Sequence, residues 1–172
     1  LIFSKISSEN NLYLKFLTQK DEIITGLSFG GSTKKKKNIF QIGYFLNIVI
    51  KNKNKNFPNS ISAELSKPYY HNIFNDKFKL HALLTLVSLL NISIIEGQKV
   101  SGLFNLSENI IEILANEKKW IINYFIFLLN LLKIIGYDID YQKNTSKDYL
   151  NLDSLQFSNS SIAKSIKFPH LL

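Results

Sequence analysis

Residues 11–18 read NLYLKFLT, an alternation that sets Leu12, Leu14 and Phe16 on one face of a strand and Tyr13 and Lys15 on the other. Next along the chain, residues 22–29 (EIITGLSF) make a second run, and Gly26 in its interior marks a bulge or the close approach of another backbone. Gly30-Gly31-Ser32 then break the pattern, and four consecutive lysines follow, Lys34, Lys35, Lys36 and Lys37. Residues 39–51 (IFQIGYFLNIVIK) are rich in β-branched and aromatic residues, with Gly43 placed to bend them. A polar connection alternating Lys and Asn, with Lys51, Lys53 and Lys55, leads through Pro58-Asn59-Ser60 into a last alternating stretch, residues 60–65 (SISAEL). Several short strands in so short a stretch predict a small barrel or sandwich.

The period changes near Pro68. Over residues 76–95, Leu80, Leu83, Leu84, Val87 and Leu90 recur at steps of three and four, and Gly97 marks a stop. Residues 101–115 repeat the pattern through Leu103, Leu106, Ile110, Ile111 and Leu114. Residues 119–135 are apolar nearly all round, which predicts the central helix of a bundle, and Gly136 stands where a left-handed C-terminal cap is expected. Residues 138–172 are mixed and polar, and one further short helix with an extended tail is expected there.

Composition narrows the function classes. The 172 residues carry a net charge of +8 and contain neither cysteine nor arginine. Residues 1–60 hold ten lysines against Glu9, Asp21 and Glu22, whereas residues 61–172 are close to neutral. Such asymmetry suggests a polyanion-facing part joined to a neutral part. Without cysteine there is no disulfide framework, thiol nucleophile or Cys-ligated zinc. His71, His81 and His170 are far apart in sequence and have no partner at metal-ligand spacing, and Asp138 and Asp140 follow a helix-ending glycine. No G-x-S-x-G, Walker or dinucleotide motif occurs, and Gly30-Gly31-Ser32 lacks P-loop spacing. Neither an enzyme nor a cofactor is expected. The longest apolar run, residues 120–132, is short for a membrane span and is interrupted by Asn123 and Asn130.

The lysines carry the stronger signal. Lys34, Lys35, Lys36 and Lys37 lie between two strands, and Lys51, Lys53 and Lys55 form a second cluster. On a small barrel such loops can line a groove for a phosphate backbone, with Lys15 and Tyr13 on the adjoining strand face. Tyr13, Phe29, Phe40, Tyr44 and Phe45 are the candidate stacking platforms. A solvated, solubilising charge run is the alternative for each cluster.

The order of features resembles the opening of the RecO family of bacterial recombination mediators and DNA repair proteins. The likeness runs through Leu1-Ile2, Ser8-Glu9-Asn10, Phe16-Leu17-Thr18, Gly26, Gly30-Gly31-Ser32, the four lysines and Phe40-Gln41-Ile42-Gly43. In the second half it rests on Leu103-Phe104, Trp120, Leu128-Leu129 and Ile135-Gly136-Tyr137-Asp138-Ile139-Asp140. Against the family pattern, a short N-terminal stretch is expected to be missing. Many RecO proteins place zinc-binding cysteines where Lys143, Asn144 and Thr145 stand here, so no metal is expected. Family positions that are often Arg are Lys, which keeps charge but loses bidentate geometry.

The resemblance implies an α+β protein, β first and α second. An N-terminal OB-like barrel (residues 1–66) that binds nucleic acid would be followed by an all-α helical domain with an irregular tail (residues 67–172). It further implies binding of single- and double-stranded DNA, annealing of complementary strands and assistance in recombinase loading, in the bacterial cytoplasm at the nucleoid. The implied protein partners are the C-terminal tail of the single-strand binding protein and RecR. Lys118, Lys119 and Lys133, with Lys77 and Lys79, lie near expected helix ends and are the candidate rim of a partner groove. An RNA-binding OB module and a helical interaction scaffold remain as alternatives.

Overall fold

The computed structural model describes residues 1–8, 10–34, 36–52, 58–67, 70–137, 147–154 and 156–167. By compactness they fall into two units, residues 1–131 and 132–172.

In the first unit β1 (Phe3–Ser8), β2 (Asn11–Leu17), β3 (Ile23–Ser28), β4 (Phe45–Lys51) and β5 (Ser60–Lys67) form one sheet in the order β1-β2-β3-β5-β4. All neighbours are antiparallel except β3 and β5, which meet in parallel at Leu27 and Ser60. The alternation of residues 11–18 does what its pattern requires. Leu12, Leu14 and Phe16 are buried and join Leu1, Phe40 and Ile61 in the sheet's core. Gly26 lies at the close approach anticipated for it, because a Cβ there would sit 2.6 Å from the Asn59 carbonyl oxygen and 2.6 Å from the Ile61 side chain.

Two expectations for this half need correcting. Residues 39–44 are turns rather than strand, and β4 starts only after Gly43, whose φ of +85° turns the chain. The sheet is open rather than a closed barrel. Its edges are joined before β1 and β4, where the Leu1 backbone nitrogen donates to the Tyr44 carbonyl (2.8 Å) and the Gly43 N–H to the Leu1 carbonyl (2.8 Å). Beyond that point β1 exposes Lys5, Ile6, Ser7 and Ser8, and β4 exposes Asn47, Val49, Ile50 and Lys51. On β1 the row that carries Ile6 also carries Ser4 and Ser8, so that edge offers no continuous apolar stripe to match Leu46, Ile48 and Ile50 of β4.

A short helix that no period announced, α1 (Tyr70–Phe74), precedes three that follow the predicted periods closely: α2 (Lys77–Ser93), α3 (Leu103–Asn116) and α4 (Ile121–Ile134). Asp76 caps α2 by accepting from the Phe78 and Lys79 N–H groups at 2.9 and 3.2 Å. Leu83, Leu86 and Leu90 of α2 and Leu103, Ile110 and Leu114 of α3 are fully buried. The expectation of a central α4 fails. It buries Tyr124, Phe127 and Leu131, but Ile121, Ile122, Phe125 and Ile126 are all at least half exposed. An all-round apolar sequence fixes that a helix can be buried, not how many neighbours it receives.

Charged side chains lock the sheet to the helices. Asp21, in the β2–β3 turn with φ +60°, accepts from the Gly102 and Phe104 N–H groups at 2.8 Å each, capping α3 from another part of the chain. The Val100 N–H donates to the Asp21 carbonyl (2.9 Å), and the Thr25 hydroxyl donates to Glu96 (2.6 Å). Lys67 of β5 pairs with Glu108 of α3. The architecture changes after Lys67, but the sheet and the helices up to residue 131 fall in one compact unit.

In the second unit Gly136 takes φ +100°, and its N–H and that of Tyr137 return to the Lys133 and Leu132 carbonyls, closing the helix as anticipated. No further helix follows among the described residues. Instead β6 (Tyr149–Asn151), β7 (Phe157–Ser158) and β8 (Ser165–Lys167) form a small antiparallel sheet in the order β7-β6-β8. Leu150 and Phe157 pair across it and are buried, and the Asn151 side chain accepts from the Asp153 and Ser154 N–H groups to shape the turn. Those apolar residues are too widely spaced by turn formers to sustain a helix.

Candidate nucleic-acid interface

The described residues on either side of Lys35, from Gly30 to Gln41, form a hydrogen-bonded turn. At its entry the Gly30 N–H donates to the Asn11 side-chain oxygen (3.1 Å), and the Gly31 N–H to the Ser28 carbonyl (3.2 Å). The Ser32 N–H donates to the Asn10 carbonyl (3.1 Å), tying the segment to the β1–β2 turn. Thr33 then closes the turn on itself, its hydroxyl donating to the Gly30 carbonyl (2.7 Å) while its own carbonyl accepts from the Lys36 and Lys37 N–H groups at 3.0 and 2.8 Å. At the exit the Gln41 side chain donates to the Lys37 carbonyl (2.9 Å).

Lys34, Lys36 and Lys37 are exposed on this scaffold, and the Lys36 ammonium donates to the Phe29 carbonyl (3.3 Å). A hollow of about 370 Å³ lies beside them, lined by Ser4, Ile6, Leu12, Ser32, Lys37 and Phe40 among others. Sequence reasoning missed Asn10, Asn11 and Thr33 as the holders of the turn. For Asn11 and Thr33 the only signal was composition, since Asn and Thr favour side-chain-to-backbone bonds wherever the chain reverses, whereas Asn10 acts through a backbone carbonyl that any residue supplies.

The other nominated residues disperse. Lys51 is exposed at the end of β4, opposite Ser60, while Lys35, Lys53 and Lys55 lie outside the described residues. Tyr13 is half-buried, paired across strands with Lys5 and Leu27, its ring edge-on to Phe3 at 6.4 Å. Lys15 is half-buried, and its ammonium donates to the Asn91 and Ile94 carbonyls at 2.9 and 3.2 Å, at the C-terminal end of α2. A cation there meets carbonyls that the helix leaves unpaired. Lys15→Met is therefore expected to lower stability by about 1.5 kcal/mol and leave the salt dependence of nucleic-acid binding unchanged. Urea unfolding and a binding titration at several salt concentrations check both halves.

Of the five candidate stacking aromatics, Phe40 is buried and Tyr13, Tyr44 and Phe45 are half-buried, with Tyr44 against Phe74 and Phe45 edge-on to Phe104. Phe29 differs, being 57% exposed at the start of the lysine turn.

On the helical side, Lys118 and Lys119 are exposed between α3 and α4, Lys77 is exposed at the start of α2, and Lys133 lies in the last turn of α4. Lys79 is buried, and its ammonium donates to the Glu117 carbonyl (2.9 Å) at the end of α3, which ties α2 to α3. The larger cavity, about 460 Å³, lies between the sheet and α2 and α3, bounded by Phe16, Ile24, Leu46, Leu86, Leu90 and Phe104 among others, rather than within the helices.

His71 and His81 are exposed, and His170, Asp138 and Asp140 lie outside the described residues. Among the described residues there is no group of three or more His, Asp or Glu placed to hold a metal ion, and no helix long and apolar enough to cross a membrane.

Residues 75–148 match the family model described as "Recombination protein O C terminal". The chain is 27% identical over 143 residues to a DNA repair protein RecO of Rickettsia canadensis (strain McKiel), covering 83% of this chain and 58% of that protein. It is likewise 27% identical over 152 residues to a DNA repair protein RecO of Rickettsia bellii (strain OSU 85-389), covering 86% of this chain and 62% of the relative. The matched region thus spans about three fifths of the length of these curated relatives.

Proposed function

We propose, from the RecO family that these matches support for the chain, that it serves DNA repair and recombination by binding DNA without chemical change to it. The observation that carries this reading is the hydrogen-bonded turn presenting Lys34, Lys36 and Lys37. Cations on a prefolded turn lose little backbone freedom when they meet phosphates, so most of their attraction is kept. Bound lysines neutralise phosphate charge and let two complementary strands approach, which is the physical requirement for annealing. Lys51, exposed at the end of β4, is a further candidate phosphate contact in this reading, with Lys53 and Lys55 next to it in sequence.

The sheet is read as OB-like, the architecture being a partly open five-stranded Greek-key barrel. The order β1-β2-β3-β5-β4, the parallel β3–β5 contact and the two Leu1 bonds between the sheet edges support it. Residues 1–66 are then the DNA-binding part, and residues 67–172 the part that meets protein partners. The single-strand binding protein's C-terminal tail and RecR are the proposed partners, with Lys118, Lys119 and Lys133 as contacts for acidic groups. The proposed setting is the bacterial cytoplasm at the nucleoid.

The test is fluorescence-monitored annealing of complementary oligonucleotides, with and without the single-strand binding protein. The chain is expected to accelerate annealing in a salt-sensitive way and to compete better for single-stranded DNA than for RNA of the same sequence. Equal or better binding of RNA would favour an RNA-binding module. No salt-sensitive binding to either would leave the lysines a solubilising role only.

A further inference from the structure

We infer that Phe29 is a base-stacking platform that makes the lysine turn select unpaired over paired strands, an inference that rests on the DNA-binding reading above. Phe29 is the exposed member of the five aromatics on these strands and turns, at 57%. An apolar ring left in water forgoes the burial its neighbours obtain. Its mounting is firm on both sides. Ser28 before it is buried and accepts the Gly31 N–H, the Phe29 carbonyl is held by the Lys36 ammonium at 3.3 Å, and the Gly30 N–H after it is held by Asn11 at 3.1 Å. With the backbone fixed, the ring has two side-chain torsions left to order, so a stacked base meets a nearly preorganised surface.

The position also joins two kinds of recognition in one turn. The residue that offers the π-face offers its carbonyl to one of the phosphate-seeking lysines. A single strand can place a base on the ring while its flanking phosphates meet Lys34, Lys36 or Lys37. In a duplex both faces of each interior base are already stacked, so only the phosphates remain available. The lysines alone attract either form, and the ring supplies the difference between them.

The test uses the full chain carrying Phe29→Ala or Phe29→Trp, titrated against a labelled single strand and a duplex of equal length at several salt concentrations. Phe29→Ala is expected to weaken single-strand binding about 5- to 100-fold, the range of one lost base stack. Its salt slope and its duplex affinity should match those of the unaltered chain. Phe29→Trp should keep single-strand affinity, and its added fluorescence should be quenched by the single strand more than by the duplex. Unaltered single-strand affinity in Phe29→Ala, or an equal loss on both forms, overturns the stacking role while leaving the DNA-binding reading intact. If the unaltered chain binds neither form, the DNA-binding reading fails and this inference fails with it.

Discussion

Replacing Lys34, Lys35, Lys36 and Lys37 together by serine is expected to weaken single-strand binding roughly 100-fold at about 0.1 M salt. The slope of log affinity against log salt should flatten by about 2 or more. Each neutralised phosphate of a single strand contributes about 0.7 to that slope, so three or four contacts account for the effect. The turn itself should survive. Its closure runs through Thr33, Gly30, Asn10, Asn11 and Gln41, and the backbone N–H bonds of Lys36 and Lys37 that help shape it are kept by serine, although the Lys36 ammonium's bond to the Phe29 carbonyl is lost. A thermal midpoint close to that of the unaltered chain verifies the fold, and titrations across a salt series measure the slope. An unchanged slope in a folded variant would reduce the four lysines to a solvated turn.

The largest stability effect is expected at Gly26. A Cβ there would lie 2.6 Å from the Asn59 carbonyl oxygen and 2.6 and 2.9 Å from two carbons of the Ile61 side chain. The Asn59 oxygen cannot retreat cheaply, because it accepts the Leu27 N–H at 2.8 Å beside the parallel junction of β3 and β5. The Asn59 side chain also donates to the Thr25 carbonyl (3.2 Å) on the same strand. Gly26→Ala should therefore separate β5 from β3 and destabilise the protein by about 3 kcal/mol, the upper part of the usual range for overpacking. Urea denaturation measures it. A loss below about 1 kcal/mol would mean that β5 can shift without disturbing the sheet. Because β4 joins the sheet through β5, Gly26→Ala should also expose apolar core, detectable as binding of a hydrophobic dye.

Much of this architecture is carried by local pattern. The alternation at Leu12, Leu14 and Phe16, the three- and four-residue steps through Leu83, Val87 and Leu90, and the glycines at 43 and 136 each report a conformation decided within a few residues. Strand or helix type follows from side-chain period and backbone sterics, and both are written along the chain. The concentration of lysine at residues 34–37 is equally local, and it marked the candidate interface before any geometry was known.

What pattern cannot contain is which distant group meets which. Lys15 shares a strand face with Tyr13 in sequence, yet its ammonium reaches carbonyls 76 and 79 residues away. Lys79 reads as a surface lysine of a first helical turn but is buried against the end of α3. Asp21 looks like an ordinary turn residue and caps a helix that starts 82 positions later. In each case the decisive partner is an unpaired backbone group at a helix end, brought within reach only when the sheet and helices pack. The same dependence on distant neighbours leaves the apolar helix α4 half exposed and stops the sheet short of closure, and it singles out Phe29 from five similar aromatics. Period and composition determined the elements and their charge, while packing of remote segments decided which lysines are occupied and which of the five aromatics stays exposed.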